Sequence, residues 1–378
     1  METVKVVCVG PGLSVRGGIA QLTQKIQTAL PDHIDFSVVP TLSNYTGAGH
    51  PDRGSRVVQT AVFVRSLLHL MVISCRFHRP VFHVHLAQRG STLRKGMVCV
   101  ALRLLGLRYV VHAHAAEDAL FHDWVPIPVR RGLAWGFRGA QYFITLTRNW
   151  REYYANHLNL SANRLLVLPT PAALPPSVPS RRITTDTNFL FLGRVGERKG
   201  TFELIQAVAA LPDEVRRHCH LTVAGDGDLQ RARDLVEQLD CSSQVSILGW
   251  VGRAQVDQLL EQADVLVLPS HAEGMSSAVL EAMAWGLAVV TSAAGGADEF
   301  LTSEQNCILI QAGNVHDIAE ALRRLATDTE LRRRLGAEAR RTATRFSLEE
   351  YVSKLTCLYE ELARESPGSK RIQAVFTA

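Results

Sequence analysis

Short runs of β-branched residues alternate with stretches of helical periodicity along nearly the whole chain, and the alternation breaks once, at a cluster of prolines. In the first half, residues 4–9, 36–39, 81–86, 109–112, 142–146 and 165–168 read as strands. Ile19, Leu22, Ile26 and Leu30 mark one face of a helix between the first two. Parallel strands need crossover connections, and helices supply them, so such alternation points to a parallel sheet covered on both faces. Pro169-Thr170-Pro171 and Pro175-Pro176-Ser177-Val178-Pro179-Ser180 then form a connector, because proline removes donors and restricts its neighbours. The pattern restarts with strands at 189–192, 221–224, 245–248, 265–268 and 288–291. A last stripe of Leu348, Tyr351, Val352, Leu355, Leu358, Tyr359 and Leu362 marks a strongly amphipathic helix.

The expected architecture is α/β: two tandem Rossmann-like, doubly wound domains. The first spans 1–170, a linker 171–187, and the second 188–345. A C-terminal helix at 346–364 is expected at the domain join or on the first domain, with a tail of little periodicity at 365–378. In such sheets ligands bind outside the carboxyl ends of the strands, so two facing sheets would form a cleft.

A chain of 378 residues, 47% hydrophobic and 20% charged, is a globular enzyme by composition and not a disordered one. Its charge is divided unevenly. Residues 1–178 hold 19 Lys+Arg and 8 Asp+Glu, a net of +11, and the remainder has a net of −6. The basic half suits an anionic surface or substrate. Seven cysteines without a C-x-x-C pair suggest a reducing, cytoplasmic setting. No signal peptide is expected, since the first strand begins directly after Thr3. Residues 57–75 are as long as a membrane span but carry Gln59, Arg65 and His69, which favours a buried or membrane-contacting helix. Arg53, Arg56, Arg65, Arg76 and Arg79 around it suit anionic headgroups on the inner face of a membrane.

The chemistry concentrates between Pro269 and Gly286. An apolar run ends in Pro269-Ser270, and Glu273 and Gly274 follow. A short helix then starts near Ser276 and Ser277, with Glu281 about one turn inside it. Its first N–H groups suit a phosphate, while Glu273 and Glu281 can accept from hydroxyls on either side. A sugar nucleotide has that shape. Arg194 and Lys199, in Gly193-Arg194-Val195-Gly196-Glu197-Arg198-Lys199-Gly200, are placed to grip phosphate oxygens at the same sheet edge. The turn from Gly10 to Gly17-Gly18 allows close approach to an anion. It lacks the G-x-G-x-x-G spacing, and Val39-Pro40-Thr41 stands where a ribose-binding acid belongs, so a dinucleotide site is disfavoured. His112 and His114 suit hydroxyl binding or proton transfer. With His83 and His85 they make a metal cluster conceivable, but the pairs lie on different strands and familiar cysteine and carboxylate spacings are absent, so no metal is expected.

Taken in order, these motifs resemble the retaining, GT-B-fold glycosyltransferases of family 4. The resemblance rests most on the E-x7-E pair Glu273 and Glu281. Gly193-Arg194 with Lys199-Gly200, Gly225-Asp226-Gly227, Leu248-Gly249 and Gly295-Gly296 with Glu299 add to it. It implies that Arg194 and Lys199 clamp the donor diphosphate, that Glu281 binds the ribose, and that Glu273 lies beside the transferred sugar. It also implies donor contacts from Gly17, Gly18, Gly193, Gly274, Met275, Ser276 and Ser277. His114 matches a catalytic histidine, although Ala115 replaces the glycine that normally follows. The stretch from His83 to Gly96 resembles a subgroup acting in bacterial polysaccharide assembly. There Ser91, Arg94 and Lys95 would hold an anionic acceptor such as a diphosphate-linked lipid, though a basic loop that merely caps a helix reads nearly as well; a carbohydrate or lipid-linked acceptor is the partner expected. The implied reaction moves a hexose-type sugar from a nucleoside diphosphate sugar by front-face displacement. It uses no metal or other cofactor, and no nucleic acid is expected as a partner. A nucleotide-sugar epimerase of the same fold and a non-catalytic sugar-nucleotide- or lipid-binding subunit stay open as alternatives.

Overall fold

The computed structural model describes residues 3–13, 17–41, 56–87, 90–114, 125–175, 177–178, 185–364 and 369–377. The chain divides into two compact units. One comprises Met1–Pro169 with Glu349–Ala378, and the other Thr170–Leu348.

The first unit holds a six-stranded sheet of β1 (Val4–Gly10), β2 (Ile34–Pro40), β3 (Val81–Leu86), β4 (Arg108–Ala113), β5 (Tyr142–Thr145) and β6 (Leu165–Val167). The order is β2-β1-β3-β4-β5-β6 and every pairing is parallel. Val6, Val7, Cys8 and Val9 are all fully buried, because helices cover both faces. The strand order reverses between β1 and β3. The helix Leu348–Ala363 buries Tyr351, Leu355, Leu358, Tyr359 and Leu362. It is tied to this unit: His33 Nε2 sits 3.0 Å from Glu360 Oε1, and the Arg108 guanidinium donates to the Leu362 carbonyl. The tail differs from the sequence expectation. Ser369–Thr377 is a helix, with Ile372 and Phe376 buried one turn apart and Gln373 donating to the Asn163 carbonyl at 2.8 Å. Two apolar residues at that spacing suffice once a packing partner exists, but they are too few to read as a stripe.

The second unit repeats the plan with β7 (Thr187–Leu192), β8 (Cys219–Ala224), β9 (Val245–Gly249), β10 (Val265–Leu268), β11 (Ala288–Ser292) and β12 (Ile308–Ile310). The order is β12-β11-β10-β7-β8-β9, again all parallel. This is the 3-2-1-4-5-6 arrangement, whose reversal falls between β7 and β10. The three-residue β12 is not among the strands read from the sequence. The eleven strands read from the sequence are all present.

Candidate functional site

Crevices for ligands open where strand order reverses, at the carboxyl ends of the two diverging strands. In the second unit those ends are Leu192 of β7 and Leu268 of β10. The residues that follow them are Gly193-Arg194 and Pro269-Ser270 through Gly274. Topology thus brings two of the sequence motifs to one place, although 74 positions separate Lys199 from Glu273.

The loop after β10 is held along its length. Thr291 Oγ1 donates to the Leu268 carbonyl at 2.9 Å, and Ser292 Oγ to that of Ser270. The His271 amide donates to the Arg198 carbonyl at 2.9 Å, and the Arg198 guanidinium donates to the Ala272 carbonyl at 2.7 Å. Two glycines permit this closeness. Gly200 has φ +69°, and a Cβ there would lie 2.2 Å from the Pro269 carbonyl oxygen. Gly295 has φ +72°, and a Cβ there would lie 2.1 Å from the Glu273 carbonyl oxygen. Both positions need a left-handed backbone and no side chain.

On this frame the Lys199 ammonium donates to Glu273 Oε1, and both side chains are largely shielded from water. Arg198 stands 4.0 Å from the same oxygen. Arg194 is half exposed and lies 3.6 Å from Asp226 of the turn after β8. Gly274 and Met275 are buried, and the Met275 sulfur accepts from the Thr170 amide at 3.3 Å. Ser276 caps the helix Ser277–Ala284, its hydroxyl accepting from the Val279 amide at 3.5 Å. That helix start directs its first N–H groups toward the carboxyl edge, where an anion is favoured.

Glu281 has a partner outside the Pro269–Gly286 stretch. Arg253, at the start of the helix after β9, donates to Glu281 Oε1 at 2.7 Å and is itself held by Asp257. β7 and β8 lie between β9 and β10, so this ion pair spans the carboxyl edge above them. Arg253 closes the loop that begins at Gly249, and its pairing with Glu281 depends on the fold. Arg198, next to Lys199 in the sequence, likewise takes its place at the acid loop only through the fold.

In the first unit Gly17 precedes the helix Gly18–Ala29 with φ 152° and no side-chain cap. Ser91 and Arg94 are half-buried on the helix Gly90–Leu104, but Lys95 is buried, its ammonium donating to Thr41 Oγ1. Thr41 in turn bonds to Gly10 at the end of β1, so Lys95 ties that helix into the sheet instead of standing at the surface with its neighbours. Burial pushes the Lys95 ammonium down to about 7 from an ordinary lysine value, with Arg94 adding to the effect. The unfolded chain keeps that proton to higher pH, so the folding penalty is full below about 7 and fades as pH rises. A Lys95→Met variant is expected to melt at higher temperature than the parent at pH 6. The gain should shrink by pH 9. Thermal melts at both pH values check this, and an equal gain at both would contradict it.

His114, after β4, pairs with His85 of β3, Nε2 to Nδ1 at 2.7 Å. Its acid form is disfavoured by burial, which holds its pKa at about 3. The following residues, 115–124, lie outside the described ones, as do 14–16 of the glycine turn and the prolines at 176 and 179.

Residues 178–342, nearly the whole second unit, match the family of glycosyl transferases group 1. The chain is 33% identical over 181 residues to an uncharacterized glycosyltransferase of Methanocaldococcus jannaschii, covering 47% of this chain and 46% of that one. The chain therefore spans about half the length of this curated relative. Among solved structures it is similar to sucrose-phosphate synthase from Thermosynechococcus elongatus, with a TM-score of 0.75, 19% identity, and coverage of 95% of this chain and 99% of that one. It is also similar to the Anabaena protein HepE, solved in complex with UDP and glucose, with a TM-score of 0.71, 15% identity, and coverage of 94% and 99%. The architecture is that of the GT-B glycosyltransferases: two parallel six-stranded sheets clad in helices.

Proposed function

We propose that this chain is a glycosyltransferase that moves a hexose-type sugar from a nucleoside diphosphate sugar to an acceptor hydroxyl with retention of anomeric configuration. The observation that carries the reading is the set of Arg194, Lys199, Glu273 and Glu281 assembled along the carboxyl edge at the β7–β10 switch point. Arg194, Lys199 and the Ser276 helix start meet the donor phosphates. Glu281 accepts from ribose hydroxyls, oriented by Arg253. Glu273 lies beside the sugar, and Lys199 exchanges it for the phosphate when donor binds.

In this mechanism the bond from the anomeric carbon to the phosphate oxygen breaks through an oxocarbenium-like state. The acceptor oxygen then bonds to that carbon from the same face, and its proton passes to the departing phosphate. Charge builds on the leaving group, and fixed cations and N–H dipoles stabilise it without reorganising. No metal takes part, so turnover should not depend on added Mn²⁺ or Mg²⁺; strict dependence on either would overturn this part. Thermal-shift screening with UDP, GDP and ADP sugars tests donor binding, since a ligand held only by the folded state raises apparent stability. Failure of all three to bind would remove the proposal. Glu281→Ala is expected to raise the donor KM about 10- to 100-fold with little change in kcat, as for loss of roughly 1.5–3 kcal/mol of charge-assisted hydrogen bonding.

The acceptor side belongs to the first unit in this reading, with Ser91, Arg94 and His114 the residues to vary first and a lipid-linked or oligosaccharide acceptor the class to try. Membrane contact is supported by the helix Arg56–Arg76, where Val64, Leu68, Met71 and Val72 are 44–60% exposed and share one face by their spacing. Residues 53–116 hold ten Lys+Arg and no Asp or Glu, which suits anionic headgroups. No helix among the described residues is long and apolar enough to cross a membrane. Leu68→Asp with Val72→Asp is expected to abolish cosedimentation with vesicles rich in phosphatidylglycerol. Equal binding of variant and parent would contradict this.

A further inference from the structure

The two histidine pairs of the first unit meet. β3 and β4 are adjacent, with His85 opposite His112, so His83, His85, His112 and His114 gather beneath the carboxyl edge of the sheet. The expectation that pairs on different strands stay apart is corrected by this register. Three of the four are at most 1% exposed, and one ring nitrogen from each of His83, His85 and His112 lies within 4.8 Å of the others. His85 Nε2 and His112 Nε2 are buried without a hydrogen-bond partner among the described residues. An orphaned buried nitrogen is costly, and two at one place need a reason.

The other ring nitrogens are taken. His83 Nδ1 lies 2.6 Å from Tyr359 Oη, His85 Nδ1 lies 2.7 Å from His114 Nε2, and His112 Nδ1 lies 3.2 Å from His83 Nε2. One tautomer satisfies all of these contacts, with the proton on Nδ1 of His83, His85 and His112 and a lone pair on each Nε2. His85 is built as metal-binding histidines are, with the outer nitrogen fixed by His114 and the inner one unengaged, whereas the His83 Nε2 lone pair accepts from His112 Nδ1–H until an ion takes it.

We propose that His83, His85 and His112 bind a divalent transition ion of borderline softness, Zn²⁺ first, through their Nε2 atoms. No thiolate joins the set, and three imidazoles suit that class of ion better than Mg²⁺ or Ca²⁺, which prefer oxygen. The rings now lie within 12–25° of parallel. Bonds of about 2.0–2.1 Å require tetrahedral nitrogens roughly 3.4 Å apart. Binding therefore draws the rings together and turns them out of the stack, and the ion replaces the His83–His112 hydrogen bond. Through Tyr359 it would pin the C-terminal helix to β3 and β4.

Untagged protein incubated with Zn²⁺ and dialysed should retain about one ion per chain by elemental analysis. The Co²⁺ form should show visible absorption of a tetrahedral site, and a chelator should lower the melting temperature. The variant carrying His85→Ala and His112→Ala should lose the ion. Anomalous diffraction at the zinc edge on the unaltered protein decides the matter if that variant does not fold. A peak among the three rings supports the site. No retained ion, an ion elsewhere, or retention by the folded variant overturns it. These readings are of metal content and position, so they stand or fall separately from the donor site and its turnover.

Discussion

Lys199→Ala is expected to lower kcat roughly 10²–10³-fold, a loss of about 2.7–4 kcal/mol, if it behaves as one removed donor at a developing oxyanion. Its ammonium is largely shielded and already committed to Glu273 Oε1, so it is positioned before any donor arrives. The change also leaves Glu273 with Arg198, 4.0 Å away, as its counter-charge, which could disturb the loop without touching catalysis. A double-mutant cycle separates the two effects. If Lys199 only neutralised Glu273, the variant with Lys199→Ala and Glu273→Gln would be no slower than Glu273→Gln alone. If it stabilises the leaving phosphate, adding Lys199→Ala to Glu273→Gln slows turnover by nearly the full factor of the single change. Steady-state kinetics on folded single and double variants give the answer, and turnover of Lys199→Ala within about threefold of the parent would end the clamp proposal.

Gly295→Ala should be nearly as damaging, although no motif marks Gly295 as a ligand contact. Its added methyl would fall 2.1 Å from the Glu273 carbonyl oxygen and 2.9 Å from that of Gly274, in a backbone conformation that alanine disfavours. The acid loop must shift. A misplacement near 1 Å can cost about 10²-fold in rate, and overpacking adds about 1–3 kcal/mol of instability. Turnover should fall while the second unit still folds at moderate temperature. Circular dichroism and kinetics on one preparation check both parts. A folded variant with unchanged kcat would show that the position of Glu273 does not matter.

The two predictions differ in how far each could be read from the chain alone. Lys199 and Glu273 stand in recognisable motifs with the right chemistry, and the expectation that they share a sheet edge required only that both follow strands. Gly295 also stands in a motif, yet its use as the surface against which Glu273 rests is a matter of tertiary approach. Arg253 is similar. A cation at the end of a glycine turn is visible in sequence, but its pairing with Glu281 crosses two strands whose order is not written locally. Lys95 shows the reverse case. Read beside Ser91 and Arg94 it looks like part of one basic surface, whereas helical geometry turns it inward onto Thr41.

What the amino-acid sequence by itself determined is local. It set where strands and helices fall, because side-chain periodicity is a property of neighbouring residues, and it set which residue types stand at the strand ends. Only the tertiary structure decided which strand ends became neighbours. The reversals of order at β1–β3 and β7–β10, the register that lays His85 against His112, and the closeness of Gly295 to Glu273 all depend on the packing of segments far apart in the chain. Such contacts come from burying whole sheet faces at once, and that burial is non-directional and not encoded at any single position.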